Sequence, residues 1–160
     1  MQHDLEGMVA KRKDSVYEQG LRTGSWLKVK NLKTCDCVVF GYSKGEGARE
    51  NTFGALVVGL YDKQGKPVHV AHLGTGFTDK LPKELCNQFQ TIKSGSAPFV
   101  VRGMETVTWL EPKLVCEVNY QVVTRDCKLR MPRLHMVRID KDPSECTIDQ
   151  LEGKGRCFSP

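Results

Sequence analysis

Apolar and polar residues alternate through most of the chain, and this pattern predicts a series of short strands. The candidate segments are enriched in β-branched and aromatic residues and are bounded by Gly, Pro and polar residues. They are residues 35–42, 52–61, 68–73, 113–124 and 133–139. A turn at residues 62–67 contains Gly and Pro, so residues 52–73 are expected to form a hairpin. Alternation in the fourth segment would place five side chains on one face: Leu114, Cys116, Val118, Tyr120 and Val122.

One segment between the third and fourth strands has the periodicity of a helix instead. Leu81, Leu85 and Phe89 recur at intervals of four residues and would share one face. Pro82 suits the first turn, where no backbone donor is needed, and Thr78 or Asp79 can cap the start. Five short strands with one helix in this position are the element order of an OB-fold. We therefore predict a mainly β fold, a five-stranded OB-fold barrel with one α-helix, although other small barrels share the strand count.

The first 34 residues differ from the rest of the chain. They contain two strand candidates, Leu5–Lys11 and Trp26–Lys30, but are too few to bury a core of their own. In the second candidate, Trp26 and two lysines would share one face, opposite Leu27 and Val29. We predict that residues 1–34 are the β edge of a neighbouring domain, that residues 35–143 form the barrel, and that residues 144–160 are a polar tail.

Composition and charge narrow the class of protein. The 160 residues include 24 Lys and Arg against 19 Asp and Glu, for a formal net charge of +5, which suits an anionic partner. No apolar run is long enough to cross a membrane, and the first residues lack the features of a secretory signal. We therefore predict a cytoplasmic location and no membrane partner.

The cysteines and histidines give weaker signals. The seven cysteines are widely spaced and do not indicate a disulfide framework. Cys35 and Cys37 could be half of a zinc site, but the favoured interpretation makes them, with Cys116, small apolar residues in strands. His69 and His72 lie three positions apart in a predicted strand, so they are expected on opposite faces and unable to share a metal.

Three sequence motifs carry residue types that suit phosphate chemistry. Glu6 precedes an apolar strand and could hold a divalent cation, or could be an ordinary edge-strand carboxylate. Lys28 and Lys30 share one strand face and could clamp a phosphate, or could simply be solvated. Residues 125–141 contain six Lys and Arg against two Asp, a basic stretch that could bind polyphosphate or a nucleic-acid backbone, or could be a solvated face.

Together and in this order, the motifs resemble those of ATP-dependent DNA ligases of the ligase D type. Residues 6–15 (EGMVAKRKDS) resemble nucleotidyltransferase motif IV, residues 25–30 (SWLKVK) motif V, and residues 138–141 (RIDK) the core of motif VI. Residues 53–56 and 74–77 are similar to strand and loop sequences of the ligase OB domain. The resemblance extends from Leu5 to about Pro143 and identifies residues 1–34 as the last strands of a nucleotidyltransferase domain.

The resemblance implies a reaction and a set of cofactors. Such ligases seal a 5′-phosphate to a 3′-hydroxyl through enzyme–AMP and DNA–AMP intermediates, with ATP and Mg²⁺ or Mn²⁺, in DNA repair and recombination. It also implies roles for residues of this chain. Glu6 would be a metal ligand, Lys28, Lys30 and Arg130 would contact the nucleotide phosphates, Arg138 and Lys141 would orient the pyrophosphate leaving group, and Arg125, Lys128 and Arg133 would bind DNA.

One departure from the family pattern concerns the nucleophile. The family uses a lysine in a K-x-D-G motif, and this sequence has none. We therefore expect the chain to be inactive alone and to act with nicked duplex DNA and an adenylation domain, in the same or a separate chain. The alternatives are a free-standing OB-fold module that binds nucleic acid without catalysis, and a relative of RNA-capping enzymes or RNA ligases.

Overall fold

The computed structural model of the chain describes residues 5–78, 80–101 and 106–151. In these ranges it contains nine strands, one α-helix and three short 3₁₀ turns, at Gly47–Arg49, Pro143–Glu145 and Ile148–Leu151. The strands are β1 (Gly7–Lys11), β2 (Trp26–Lys30), β3 (Lys33–Lys44), β4 (Phe53–Tyr61), β5 (Pro67–Leu73), β6 (Val107–Tyr120), β7 (Val122–Val123), β8 (Leu129–Arg130) and β9 (Arg133–Arg138). The helix α1 is Leu81–Thr91.

Five strands form one antiparallel sheet in the order β5-β4-β3-β6-β9, with α1 between β5 and β6 in the chain. The two edge strands approach each other, because the backbone N–H of Leu134 in β9 donates to Thr75 O, just after β5, at 3.0 Å. The prediction of a mainly β, five-stranded OB-fold barrel with one α-helix is confirmed.

The barrel core is apolar and aromatic. Phe40 and Phe53 are almost fully buried. Phe89 of α1 stacks on Tyr42 with ring centroids 4.8 Å apart and lies 5.5 Å from Phe53. Leu85 is buried beside it on the same helix face. The four-residue spacing of the apolar residues thus turns one face of the helix toward the interior of the barrel.

The helix begins at Leu81, with Pro82 in its first turn as predicted. Lys80 is the N-cap residue and its side chain makes no capping hydrogen bond. The prediction that Thr78 caps the helix is wrong, since the helix begins too far along the chain, while Asp79 lies outside the described residues. No helix in the described ranges is long and apolar enough to cross a membrane.

The fourth predicted strand differs from expectation at both ends. β6 begins at Val107 rather than near Lys113, because the chain passes Pro112 through a bulge in which Leu110–Lys113 oppose only Phe40 of β3. Such a bulge removes the need for a backbone donor at proline. Val122 is 48% exposed, and Val123 is buried instead, because Gln121 separates β6 from β7 and ends the alternation.

The N-terminal strands form a separate two-stranded antiparallel sheet, β1–β2. Its register pairs Met8 with Val29 and Ala10 with Leu27, so these apolar side chains share one face. Lys28 and Lys30 lie on the other face, together with Trp26, as predicted. Most side chains of both strands are exposed.

The segment after β9 packs against the barrel. Cys146, Ile148 and Leu151 are buried in the core, although residues 144–160 were predicted to form a polar tail. The side-chain amide of Gln150 accepts from the Asp36 backbone N–H at 2.9 Å and donates to its carbonyl at 3.1 Å, which fastens this segment to β3. The division of the chain at residues 34 and 143 stays a prediction.

Candidate nucleotide and nucleic-acid site

A cleft of about 450 Å³ lies between the small sheet and the β7–β8 hairpin. Four of the predicted site residues line it: Glu6, Lys28, Lys30 and Arg130. Gln121, Val122 and Met131 complete the lining. The structure therefore gathers residues from positions 6 to 130 into one predominantly cationic surface, which suits a phosphate-bearing ligand.

The β1–β2 register explains the wall that the small sheet contributes. Gly7 pairs with Lys30, and a Cβ at Gly7 would stand 2.1 Å from Val29 O, so glycine permits this close strand approach. Glu6 Oε1 lies 2.8 Å from Lys28 Nζ. This hydrogen bond and the lysine charge lower the pKa of Glu6. Both side chains are more than half exposed, so a ligand can compete for the pair.

Trp26 forms a second, aromatic feature beside the lysines. Its indole N–H donates to Ser15 Oγ at 3.1 Å, Lys11 Nζ lies 3.9 Å from the centroid of its ring, and Tyr17 packs 5.5 Å away. These contacts explain how a large aromatic residue is half-buried on an otherwise exposed sheet. Lys28 and Lys30 also border the adjacent depression of about 650 Å³ that Trp26 lines. An aromatic surface next to two ammonium groups can accommodate a base and its phosphates.

The opposite wall comes from a hairpin that the sequence did not predict. β7 and β8 pair through Val122↔Arg130, and the Gln121 N–H donates to Arg130 O at 3.1 Å. Met131 follows with φ +53°, a left-handed turn that redirects the chain into β9. The turn presents Arg130 as an exposed side chain on the cleft. In the sequence, only the basic charge of residues 125–141 indicated that Arg130 belongs to a binding site.

Arg138 and Lys141 do not line this cleft. The Arg138 guanidinium contacts Asp140 and Asp36, with nitrogen–oxygen distances of 2.8 and 3.2 Å. Lys141 Nζ lies 2.6 Å from Glu145 Oε2. The hydrogen bonds from Arg138 lower the pKa of Asp140 to about 2, and the hydrogen bond with Glu145 raises the pKa of Lys141. These acidic partners were not predicted. The local signals for them were the two-residue separation of Arg138 and Asp140 and the four-residue separation of Lys141 and Glu145.

The three predicted DNA-binding residues differ in exposure. Arg125 and Arg133 are exposed. Lys128 is half-buried, and its Nζ lies 3.0 Å from His69 Nδ1 and donates to the His69 carbonyl. Burial lowers the pKa of Lys128. Two of the three side chains are therefore open to a ligand, and the third is engaged with β5.

The prediction that His69 and His72 lie on opposite faces is wrong. Their ring centroids are 4.5 Å apart. The reason is a register shift in the β4–β5 pairing, which leaves Val70 unpaired and returns both rings to one side. Burial, Lys128 and His72 lower the pKa of His69 to about 4, so its ring is uncharged at neutral pH.

The cysteines behave as apolar strand residues. Cys35, Cys37 and Cys116 are buried, as predicted, with the sulfur atoms of Cys35 and Cys37 3.5 Å apart. The hydrogen bond with Cys35 and burial raise the pKa of Cys37. Among the described residues, no group of three or more His, Cys, Asp or Glu side chains is arranged to hold a metal ion.

The surroundings of Glu6 do not form a complete divalent-cation site. It is the only carboxylate among the residues that line the cleft, beside Lys28, Lys30 and Arg130. Divalent cations of the Mg²⁺ type need several oxygen ligands. Within the described part of the chain, Glu6 can therefore supply one ligand, and the others would have to come from a nucleotide, water or another domain.

Comparison with known proteins gives a family match for the barrel part of the chain. Residues 49–141 match the family model of the ATP dependent DNA ligase C terminal region. The chain is 39% identical over 148 residues to the multifunctional non-homologous end joining protein LigD of Mycolicibacterium smegmatis, covering 88% of this chain and 19% of that protein.

Two solved structures are similar to the chain over most of its length. The ligase domain of LigD from M. tuberculosis matches with a TM-score of 0.67 and 32% identity, over 89% of this chain and 47% of that one. Mycobacterial DNA ligase D complexed with ATP and MES matches with a TM-score of 0.63 and 29% identity, over 87% and 45%. The chain thus spans about a fifth of its curated relative and somewhat less than half of each structure. The family match covers more than half of the residues, and the chain belongs to the family of ATP-dependent DNA ligase C-terminal regions.

Proposed function

We propose that this chain contributes DNA-backbone binding and ATP-phosphate contacts to nick sealing by an ATP-dependent DNA ligase. The observation that carries the proposal is the cleft in which Glu6, Lys28, Lys30 and Arg130 meet. A relative over most of the chain is an end-joining ligase protein, and a similar structure is complexed with ATP. We propose that this reaction serves DNA repair and recombination and takes place in the cytoplasm.

The cationic residues would act on the phosphates. In nucleotidyl transfer, fixed positive charge stabilises the oxygens on which negative charge develops. Lys28 and Lys30, with Arg130 opposite, would contact the phosphate nearest the adenosine. Arg138 and Lys141 would orient the pyrophosphate leaving group. Mg²⁺ or Mn²⁺, when bound, would neutralise phosphate charge, with Glu6 as one of its ligands.

An adenylation domain would be the partner that covers the small sheet. Nine of the fourteen exposed large apolar side chains of the described residues lie between Leu5 and Leu32. Exposed apolar surface of this kind marks an interaction site. We place the Met8, Ala10, Leu27 and Val29 face against the remainder of that domain, in the same or a separate chain, with the reactive lysine there. A free-standing nucleic-acid module would leave this face in water.

Nicked duplex DNA is the proposed substrate, and its binding tests the function. Fluorescence anisotropy of a labelled nicked duplex is titrated with the wild-type chain and with Arg125→Ala/Arg133→Ala across a range of salt. Each lost phosphate contact lowers the magnitude of the slope of log K against log salt by about 0.9, so a loss of up to about 1.8 is expected. Little dependence on DNA sequence is expected, because phosphate contacts carry no sequence information. Binding of labelled ATP is compared between the wild-type chain and Lys28→Ala/Lys30→Ala.

The matched control for both experiments is Lys66→Ala/Lys83→Ala, which removes the same charge from exposed positions outside both groups. An equal loss of DNA binding in the control would overturn the assignment of Arg125 and Arg133, and an equal loss of ATP binding would overturn the assignment of the cleft. Labelled ATP with Mg²⁺ should leave no covalent AMP on the chain alone, and an adduct would contradict the expectation that the lysine nucleophile lies elsewhere. Preference for capped RNA ends over nicked DNA would favour the RNA-capping alternative.

A further inference from the structure

The guanidinium of Arg138 contacts carboxylates along two different edges. Nε and Nη2 each lie 2.8 Å from one oxygen of Asp140, a bidentate pair. Nη1 lies 3.2 Å from Asp36 Oδ1 and 3.7 Å from Glu117 Oε2. One arginine therefore contacts three carboxylates. Its Nε–Nη2 edge contacts Asp140, and its Nη1 atom contacts Asp36 and Glu117.

The inner contacts belong to the rigid part of the barrel. Asp36 and Glu117 are directly paired across β3 and β6, and their side chains are only 17% and 20% exposed. Gln150 holds both the backbone N–H and the carbonyl of Asp36. Asp36 is thereby fixed in position by groups other than the arginine, so it can anchor Nη1.

The outer contact is of another kind. Asp140 lies beyond the end of β9, its side chain is 64% exposed, and the preceding Ile139 is almost entirely in solvent. Lys141 shows the same arrangement, since its partner Glu145 is 55% exposed. The Asp140 carboxylate is open to solvent, whereas the Asp36 and Glu117 carboxylates are mostly covered. The Asp140 contact is therefore the one that an incoming anion can replace.

The geometry of the outer edge also selects the anion. The Nε–Nη2 edge presents two parallel N–H donors, which match two oxygens of a carboxylate or of a phosphate. The pKa of Asp140 is held at about 2 by Arg138, so protonation does not release this carboxylate near neutral pH. Displacement by another bidentate anion is the route that remains.

We propose that Asp36 is a positioning residue that anchors Arg138, and that Asp140 occupies the outer edge of the guanidinium until a phosphate group replaces it. The proposal rests on the proposed function, which brings Arg138 to a pyrophosphate leaving group. It adds which edge of the arginine receives the phosphate and which residue competes for it.

The test uses inorganic pyrophosphate as the probe and the Nε–H resonance of Arg138 in ¹⁵N-labelled protein as the local readout, identified by its loss in Arg138→Lys. Asp140→Asn should lower the half-saturating pyrophosphate concentration about two- to fivefold at low salt, because the competing carboxylate is gone. Asp14→Asn removes the same charge from an exposed turn and is the matched control; it should change the concentration less than Asp140→Asn does.

The decisive variant is Asp36→Asn. Simple electrostatics predicts that removal of this charge strengthens anion binding, whereas loss of the anchor should weaken it and broaden the Arg138 resonance. Glu117→Gln, with thermal unfolding of both variants, separates misplacement of the arginine from misfolding. Equal strengthening by Asp36→Asn and Asp140→Asn would overturn the inference and leave the proposed function intact. Unchanged pyrophosphate binding in Arg138→Ala would instead contradict the assignment of Arg138 in the proposed function.

Discussion

The two-stranded sheet β1–β2 and the five-stranded sheet are built from similar strand sequences but differ in what covers them. Val57, Val58 and Leu60 of β4 are fully buried, whereas Met8, Val9 and Leu27 of the small sheet are all more than half exposed. The five-stranded sheet curls round its own apolar face and adds α1 to it. The small sheet has no such cover among the described residues.

The difference shows that strand patterning alone does not create an interior. An isolated pair of strands is marginally stable in water unless further strands or a helix cover its apolar face. The small sheet retains its register because Trp26 is covered by Ser15 and Tyr17 and because Lys28 pairs with Glu6. The stability of the chain should therefore depend on the barrel, and the chemistry of the cleft on the small sheet.

The largest effect is expected from Phe89→Ala, which removes the aromatic ring that α1 packs on Tyr42 and Phe53. The free energy of unfolding, measured with urea, should fall by about 3–5 kcal/mol because a cavity replaces a fully buried side chain. Phe89→Leu should retain most of the contact and cost less than half as much. A loss below about 1 kcal/mol for Phe89→Ala would mean that α1 is not part of the barrel core.

A smaller effect is expected from Gly76→Ala, at the seam where β9 meets the segment after β5. Gly76 has φ +98°, and a Cβ there would stand 2.1 Å from Leu134 O. Strain of this kind costs about 1–3 kcal/mol of unfolding free energy. Gly74→Ala is the matched control, since its Cβ would meet open space. Equal losses in the two variants would contradict a closed seam at Gly76.

The smallest effect is expected from Leu27→Ser on the apolar face of the small sheet. Leu27 is 60% exposed, so its replacement should change the unfolding free energy of the chain by less than about 0.5 kcal/mol. The same urea titration measures it. A loss above about 1 kcal/mol would show that the small sheet already has an interior, and would remove the reason to place an adenylation domain against it.

Most of the fold could be predicted from local patterns. The β-branched runs located β3 to β5 within two residues of their bounds, and the spacing of Leu81, Leu85 and Phe89 located α1. These elements are long, and each has one clear periodicity. The prediction failed where the pattern depends on irregular pairing: the β6 bulge at Pro112 and the unpaired Val70 of β5 exist only because of the partner strand.

The candidate site was predictable in part for a similar reason. The types and order of the residues indicated Glu6, Lys28 and Lys30. Their position opposite Arg130 could not be predicted, because it depends on the β7–β8 hairpin, which has only two residues in each strand. The Asp36 partner of Arg138 was out of reach, since it is separated from the arginine by 102 residues. Charge counts show that a stretch is basic but not which of its charges are already neutralised.

The clamp between Gln150 and Asp36 has a consequence for how the chain acquires its fold. It joins residues 114 positions apart, and Thr147 adds a bridge to Tyr61 in β4. During synthesis, the first strand of the barrel leaves the ribosome long before the segment that fastens it. Folding that depends on such distant contacts is slow, because the entropy cost of closing a long loop comes before the contacts that stabilise the closed loop. The final step of assembly should therefore be the docking of residues 143–151, and until then Asp36, with its backbone groups unclamped, is not yet a fixed anchor for Arg138.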